Sequence, residues 1–316
     1  MNTPTRIAVY VGSLAVAFGA ATGIGYAVGP LGDDEPSGGG HGGHDKVATA
    51  PPASPAPEAA EAGIPPGLQA TQGGWTLNLL TPTAEAGRGA ELRLVIVGAD
   101  GAPLHSYATQ HEKELHLIVV RRDLTDYRHL HPTRAADGVW SVPFTAAQGG
   151  SYKVFADFKP TGAASGFTLA SDLAVAGAQT PAVPPGDGRT VAVDGYTVTL
   201  TGSPRPGASE RLSFAISRDG RPVDDVEPYL GARGHMVALR GGDLAYLHVH
   251  PDGGAGDTVA FGVETPTSGT YRLFFEFKRE GVVHLAQFEV TTSGAPAAPT
   301  PTASPSATEP AGGHGH

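Results

Sequence analysis

Short apolar runs separated by turn residues dominate the middle of the chain. Val, Ile, Leu, Tyr, Phe and Thr cluster in runs bounded by Gly, Asp and Pro, and no stretch keeps a helical period. The clearest runs span residues 91–97, 115–120, 139–144 and 152–158, and then 211–216, 235–240, 258–263 and 271–278. This pattern predicts an all-β chain of antiparallel β-sandwiches, with a small barrel as the competing architecture.

The two sets of runs belong to one module that is present twice. Residues 116–158 align with residues 235–277 without a gap. The alignment pairs Arg121 with Arg240, Tyr127 with Tyr246, Tyr152 with Tyr271 and Phe155 with Phe274. We therefore predict a first β-sandwich module at residues 71–178, a linker at 179–189 and a second module at 190–292.

The N-terminal region predicts a membrane anchor. Residues 7–29 carry no charge, and at ~1.5 Å per residue they are long enough to cross a bilayer core of roughly 30 Å. Arg6 precedes this span and acidic residues follow it, which predicts a cytoplasmic N-terminus and extracytoplasmic modules. The predicted order is a transmembrane helix in residues 1–29, a disordered tether at 30–70 and a disordered tail at 293–316. A cleaved signal and a secreted protein are the alternative.

Composition limits the chemistry that is available. The chain has no cysteine, and its two methionines are Met1 and Met236, so thiolate and thioether-rich Cu(I) sites are excluded. A net charge of -10 gives no basic face for nucleic acid. None of the usual catalytic motifs is present, so we expect no enzyme activity.

A histidine triplet recurs with the module. Both copies keep the same internal spacings and a proline after the third histidine. Residues two apart on a strand share a face, so the last two histidines of each copy form a pair. If the turns centre near residues 123–124 and 242–243, antiparallel pairing brings the first histidine opposite the third, with β-carbons ~5 Å apart. Each hairpin is then predicted to bind Cu(II) or Zn(II), and the predicted ligands are His116, His129 and His131 in one module and His235, His248 and His250 in the other.

Other interpretations of the triplets stay open. Asp157 and Glu276 share a repeat position and could add a fourth ligand or orient an imidazole, although a solvated acid on a strand is the simpler interpretation. The triplets could instead be structural corners that bond to loop carbonyls, or a surface that senses pH. His105, His111 and His284 are expected to be ordinary surface or hydrogen-bonded histidines. The Gly/His segments at 41–44 and 314–316 could capture metal weakly.

The segment from His111 to Pro132, followed by Tyr152-Lys-Val-Phe-Ala-Asp-Phe, resembles exported bacterial proteins linked to heavy metals, the YtkA-like and FixH-like group. The second copy has a shortened form of it. This resemblance implies an immunoglobulin-like or cupredoxin-like sandwich, an extracytoplasmic location and an association with copper or another metal. The Cys and Met motifs that often accompany such domains are missing here.

Together these features predict a membrane-anchored protein that buffers or delivers a divalent metal. Its expected partners are the membrane, through the N-terminal helix, and a metal transporter or metalloprotein. The alternative is a non-catalytic extracellular adhesion or assembly module whose histidines are structural.

Overall fold

A computed structural model describes residues 64–181, 188–247, 249–254 and 256–292. The predicted anchor, most of the predicted tether, the tail and His248 lie outside these ranges. None of the described residues forms a helix long and apolar enough to cross a membrane.

The strands of the first repeat are β1 (Thr71–Gln72), β2 (Trp75–Leu79), β3 (Thr83–Glu85), β4 (Ala90–Val97), β5 (Tyr107–Ala108), β6 (Leu115–Arg121), β7 (Arg128–Leu130), β8 (Thr133–Arg134), β9 (Trp140–Phe144), β10 (Gly150–Pro160) and β11 (Phe167–Ala176). Those of the second are β12 (Thr190–Val193), β13 (Tyr196–Thr201), β14 (Ala208–Arg218), β15 (Arg221–Pro222), β16 (His235–Arg240), β17 (Val249–Pro251), β18 (Thr258–Thr265), β19 (Gly269–Arg279) and β20 (Val282–Thr292).

Each repeat folds as a sandwich of two sheets. The first repeat packs the sheet β1-β2-β4-β9-β8 on the sheet β3-β11-β10-β6-β7. The second packs β12-β13-β14-β18-β17 on the smaller sheet β16-β19-β20. Neighbouring strands are antiparallel except β3, which runs parallel to β11. The prediction of two tandem antiparallel β-sandwiches is therefore confirmed.

The strand order is that of an immunoglobulin-like domain. Each repeat has six strands of five or more residues, of which the first, second and fourth form one sheet and the third, fifth and sixth form the other. Tyr152 lies near the start of β10 and donates its hydroxyl to the carbonyl of Gln148 at 2.7 Å, and Tyr271 of β19 donates likewise to the carbonyl of Thr267 at 2.7 Å in the second repeat. A tyrosine near the start of this strand that bonds to a backbone carbonyl a few residues upstream is the tyrosine corner of the immunoglobulin fold.

The central strands of both repeats are buried on two faces. On β6, Leu117 and Val119 point into the core of the first sandwich, whereas Ile118 and Val120 join a third apolar cluster. That cluster also contains Val237 and other residues of the second repeat. The outer faces of sheets β3-β11-β10-β6-β7 and β16-β19-β20 therefore pack against each other. Each fully buried apolar side chain contributes roughly 1.5–3 kcal/mol to the free energy of unfolding. The interface between the repeats therefore stabilises the protein as a third hydrophobic core.

The interface between the repeats is reciprocal. Tyr127 of the first repeat stacks on Phe274 of the second, with ring centroids 4.1 Å apart. The equivalent residues with the roles exchanged, Tyr246 and Phe155, lie 5.7 Å apart. Each repeat uses the same two positions, as expected for an approximate two-fold relation between the repeats.

The segment before β1 helps to hold the repeats together. The amide of Tyr246 donates to the carbonyl of Pro66 at 2.9 Å, and the amide of Ala170 on β11 donates to Gln69 at 2.8 Å. Gly67 lies between these bonds with φ +74, and a β-carbon there would come 2.7 Å from the ring of Phe155. Only glycine fits this close approach without strain.

Candidate metal centre

The first triplet lies on a hairpin with the predicted register. Leu117 of β6 pairs with Leu130 of β7, and Ile118 pairs with His129. The same register places His131, one residue beyond β7, opposite His116. One ligand atom from each of the three histidines can be chosen so that all lie within 4.8 Å of one another. The predicted convergence of His116, His129 and His131 is therefore present in the structure.

The three imidazoles face the second repeat. His116 shares the face of Ile118, which belongs to the interface cluster and not to the core of the first sandwich. Two residues of the second repeat complete the group, His235 on β16 and Glu276 opposite it on β19. We call the five residues His116, His129, His131, His235 and Glu276 the histidine cluster.

A chain of hydrogen bonds runs through the cluster. His129 Nδ1 lies 2.7 Å from Glu276 Oε2, and His129 Nε2 lies 3.0 Å from His116 Nδ1. His116 Nε2 lies 3.0 Å from the backbone carbonyl of Gln110. The side chain of His129 is 0% exposed and that of Glu276 is 8% exposed. The chain thus joins the two repeats out of contact with solvent.

The direction of these bonds fixes where protons lie. A carbonyl only accepts, so His116 donates from Nε2 to Gln110, and a neutral His116 then accepts at Nδ1 from His129 Nε2. The contact between His129 Nδ1 and Glu276 needs a further proton, on either the imidazole or the carboxyl group. The metal-free pair therefore holds one proton that a bound cation would displace.

Two cluster nitrogens have no hydrogen-bond partner in the structure. His131 Nε2 and His235 Nδ1 are both buried and unpaired. The nearest acid to His235 Nδ1 is Glu276 Oε2 at 3.7 Å, too far for a hydrogen bond. A buried polar atom without a partner costs about 1–3 kcal/mol, so a ligand for these nitrogens is favoured.

Burial keeps these imidazoles neutral. Burial lowers the pKa of His116 to about 4, partly offset by its bond to Gln110, and lowers the pKa of His131 to about 3. The pKa of His235 is also well below its usual value, because of burial and the neighbouring histidines. A neutral imidazole has the free lone pair that a metal ion needs.

The second triplet is not assembled among the described residues. A single bridge between Leu239 and Tyr246 replaces the ladder that joins β6 and β7 in the first repeat. His250 lies on β17 and pairs with Gly262 of β18, in the opposite sheet. His248 lies outside the described residues. His235 instead joins His129 and Glu276 in a group whose ligand atoms lie within 4.8 Å.

Comparison with known families identifies the repeat. Residues 70–174 and residues 190–294 each match the domain described as "Domain of unknown function (DUF8832)". The chain belongs to the DUF8832 family. It carries two DUF8832 domains, and the histidine cluster lies between them. The resemblance to the heavy-metal-associated group remains a hypothesis.

Similar solved structures share little sequence with the chain. The FdeC adhesin of Escherichia coli is 14% identical, with a TM-score of 0.24, over 70% of this chain and 64% of that one. Invasin, a bacterial integrin-binding protein, is 12% identical with a TM-score of 0.22, over 70% of this chain and 39% of invasin. InvD of Yersinia pseudotuberculosis is 15% identical with a TM-score of 0.24, over 73% of this chain and 61% of InvD. The chain thus spans less than two thirds of each of these proteins, and no curated protein matches it.

The remaining histidines divide into two kinds. His105 is exposed, and His284 of the second DUF8832 domain hydrogen-bonds Asp194 at 2.9 Å, as expected for ordinary histidines. His111 differs, because its ring centroid lies 6.1 Å from that of His116 and 6.0 Å from that of His235. Burial and the nearby His250 and His129 lower the pKa of His111. Sequence reasoning missed this position because the turn that carries it lies outside the repeated triplet.

Asp157 of the first DUF8832 domain has a role unlike that of Glu276. Both acids lie opposite the first histidine of their domain, and Asp157 pairs with His116 across the sheet. Its carboxylate accepts a hydrogen bond from Thr168 at 3.2 Å, and burial raises its pKa to about 6. The solvated-acid interpretation is therefore wrong for Glu276, which is buried and bonded to His129.

Proposed function

We propose that the chain binds one divalent metal ion, Zn(II) or Cu(II), between its two DUF8832 domains. The ligands come from the histidine cluster: His116, His129 and His131 of the first domain, and His235 and Glu276 of the second. This proposal replaces the two separate sites expected from the repeated triplet with one shared site.

The two unpaired nitrogens carry the proposal. His131 Nε2 and His235 Nδ1 are buried without partners, and both lie in groups whose ligand atoms are within 4.8 Å of one another. A purely structural histidine is satisfied by its surroundings. Imidazole nitrogens bound at ~2 Å to one ion lie within ~4 Å of each other, so small adjustments would bring them onto a common ion.

The donor set favours borderline cations. All five side chains offer nitrogen or carboxylate oxygen, which suits Zn(II) and Cu(II). Met236, the one methionine near the site in sequence, packs in the core of the second sandwich. Both groups of ligand atoms share His129, so we expect one ion per chain.

We further propose that the protein is exported and handles metal without catalysis. The uncharged residues 7–29 are the proposed anchor, with the DUF8832 domains outside the membrane. A metal transporter or a metalloprotein is the partner that such buffering or delivery would serve. The Gly/His segments at both ends of the chain would add weak capture sites.

An adhesion or assembly module with structural histidines is the second candidate. The continuous hydrogen-bond chain from Gln110 through His116 and His129 to Glu276 favours it, because this chain joins the domains without any ion. It leaves His131 Nε2 and His235 Nδ1 unexplained.

Titration of the full chain with Zn(II) and Cu(II) tests the choice, using His235→Ala and, as a control, His105→Ala at an exposed histidine. His235 has no hydrogen bond at its buried Nδ1, so its removal should leave the metal-free fold intact. Metal binding predicts an affinity loss of about tenfold or more for His235→Ala and none for His105→Ala. Equal metal affinities in the wild type and both variants would contradict the shared site. No tight metal binding in any of the three proteins would favour the adhesion module.

A further inference from the structure

A cavity of about 310 Å³ opens beside the histidine cluster. Its lining includes His111, Asp157, His235 and His250, together with apolar residues of both domains. His111 and His250 are exposed, whereas His235 is largely buried and belongs to the cluster. The cavity therefore connects the surface to one proposed ligand through a lining that contains further imidazoles.

His111 lies at the tip of a tight turn that leads into β6. Gln110 and Lys113 form a bridge, and the two residues between them have positive φ, +46 at His111 and +65 at Glu112. Such two-residue turns favour Asn-Gly, and a side chain other than glycine is strained there. The second domain builds the equivalent turn with Leu230 and Gly231, so the turn itself does not require an imidazole.

The position of His111 suits the transfer of a cation. Its ring centroid lies 6.1 Å from that of His116 and 6.0 Å from that of His235, one on each side of the domain interface. The carbonyl of Gln110, the neighbouring residue, accepts the hydrogen bond from His116 Nε2. The turn therefore holds His111 beside the cluster and also bonds directly to one of the proposed ligands.

We propose that His111 is the entry ligand of the shared metal site: it takes a divalent cation from the cavity and passes it to His116 and His235. This inference rests on the proposed function, since it describes how the same site fills and empties. The cation exchanges bound water for His111, then exchanges His111 for the buried imidazoles, without any redox change. In this scheme His111 affects the rate of exchange and is not one of the final ligands.

The test compares His111→Asn with wild type and with His105→Asn, which removes an exposed histidine outside the cavity. Asparagine tolerates positive φ, so His111→Asn should fold at least as well as wild type. In the full chain, stopped-flow mixing with Cu(II) measures uptake, and mixing of the loaded protein with a chelator measures release. We expect both rates to fall about tenfold for His111→Asn, with stoichiometry and affinity unchanged, and no change for His105→Asn.

Three outcomes would overturn the inference. Unchanged rates in His111→Asn would show that ions reach the cluster by another route. A loss of affinity with an unchanged uptake rate would make His111 a resident ligand. An absence of tight Cu(II) binding in the wild type would contradict the proposed function itself. This outcome differs from the first two because no metal-loaded protein would form.

Discussion

The two DUF8832 domains carry the same histidine triplet and use it differently. In the first domain, residues 128–130 pair with β6 and thereby bring His129 beside His116. In the second, residues 249–251 pair with β18, so His250 leaves the sheet that carries His235. An identical spacing in sequence therefore gathers three histidines on one hairpin in the first copy, whereas His235 and His250 lie on different sheets in the second.

The residues after the triplet explain this difference. In the first domain Thr133 and Arg134 form β8 against β9. The equivalent residues of the second domain are Asp252 and Gly253, which are poor strand formers, and the ladder with β18 instead begins earlier, at Val249. Once these residues pair with β18, they cannot also extend the sheet of β16. Residues of a repeated motif can thus be divided between copies when the copies pack together.

The largest expected effect comes from the matched acids. Glu276→Gln removes the buried carboxyl group that bonds to His129 Nδ1 and should lower the free energy of unfolding of the metal-free protein by about 3 kcal/mol. Asp157→Asn should leave it unchanged or raise it, because burial already disfavours the charged form of Asp157. Urea unfolding at neutral pH, followed by tryptophan fluorescence, measures both. Equal losses of stability for the two substitutions would mean that the matched acids contribute equally to the stability of their domains.

The matched third histidines should differ in affinity. His131→Ala removes a buried nitrogen that has no hydrogen-bond partner, so it should spare the metal-free fold and weaken Zn(II) binding about tenfold to a hundredfold. His250→Ala should leave the equilibrium affinity unchanged, because His250 lies on the opposite sheet. Competition against a chromophoric chelator gives both affinities. A larger loss for His250→Ala would restore the hypothesis of a separate second-domain site.

Packing between the domains can be tested at a glycine. Gly67→Ala places a β-carbon 2.7 Å from Phe155 in the interface and should lower the free energy of unfolding by about 1–3 kcal/mol. Gly74→Ala is the control, since Gly74 also has positive φ but has no atom within 4 Å of the added carbon. Thermal unfolding distinguishes the two. If both lose the same stability, backbone strain alone is responsible and the interface contact is unimportant.

The smallest expected effect is on proton release. His116 and His131, with pKa values of about 4 and 3, are already neutral from pH 5 to 7 and release nothing when metal binds. An ion bound as we propose would displace the one proton shared by His129 and Glu276. Calorimetry in buffers of different ionisation enthalpy should therefore give about one proton per ion. Release of two or more would show that His116 or His131 is charged in the metal-free protein.

Much of the fold and the meeting of three of the five cluster residues follow from local sequence patterns. The apolar run at 115–120 and the Arg-Asp turn predicted both β6 and its register with β7, and hence the meeting of His116 with His131. The contribution of Glu276 could not be predicted in this way, because it depends on contact between residues far apart in the chain. One signal was available: β6 is apolar at nearly every position, as strands covered on both faces are. That pattern indicates a covering partner without identifying it as the other domain.

The number of ions bound per chain tests the shared site most directly. The full chain, with His41, His44, His314 and His316 changed to Ser to remove weak capture at the ends, is titrated with Zn(II) by calorimetry. A site divided between the domains predicts one tightly bound ion per chain, and loss of that ion's tight binding in His235→Ala. Two equivalent ions per chain, or tight binding that does not depend on His235, would contradict it.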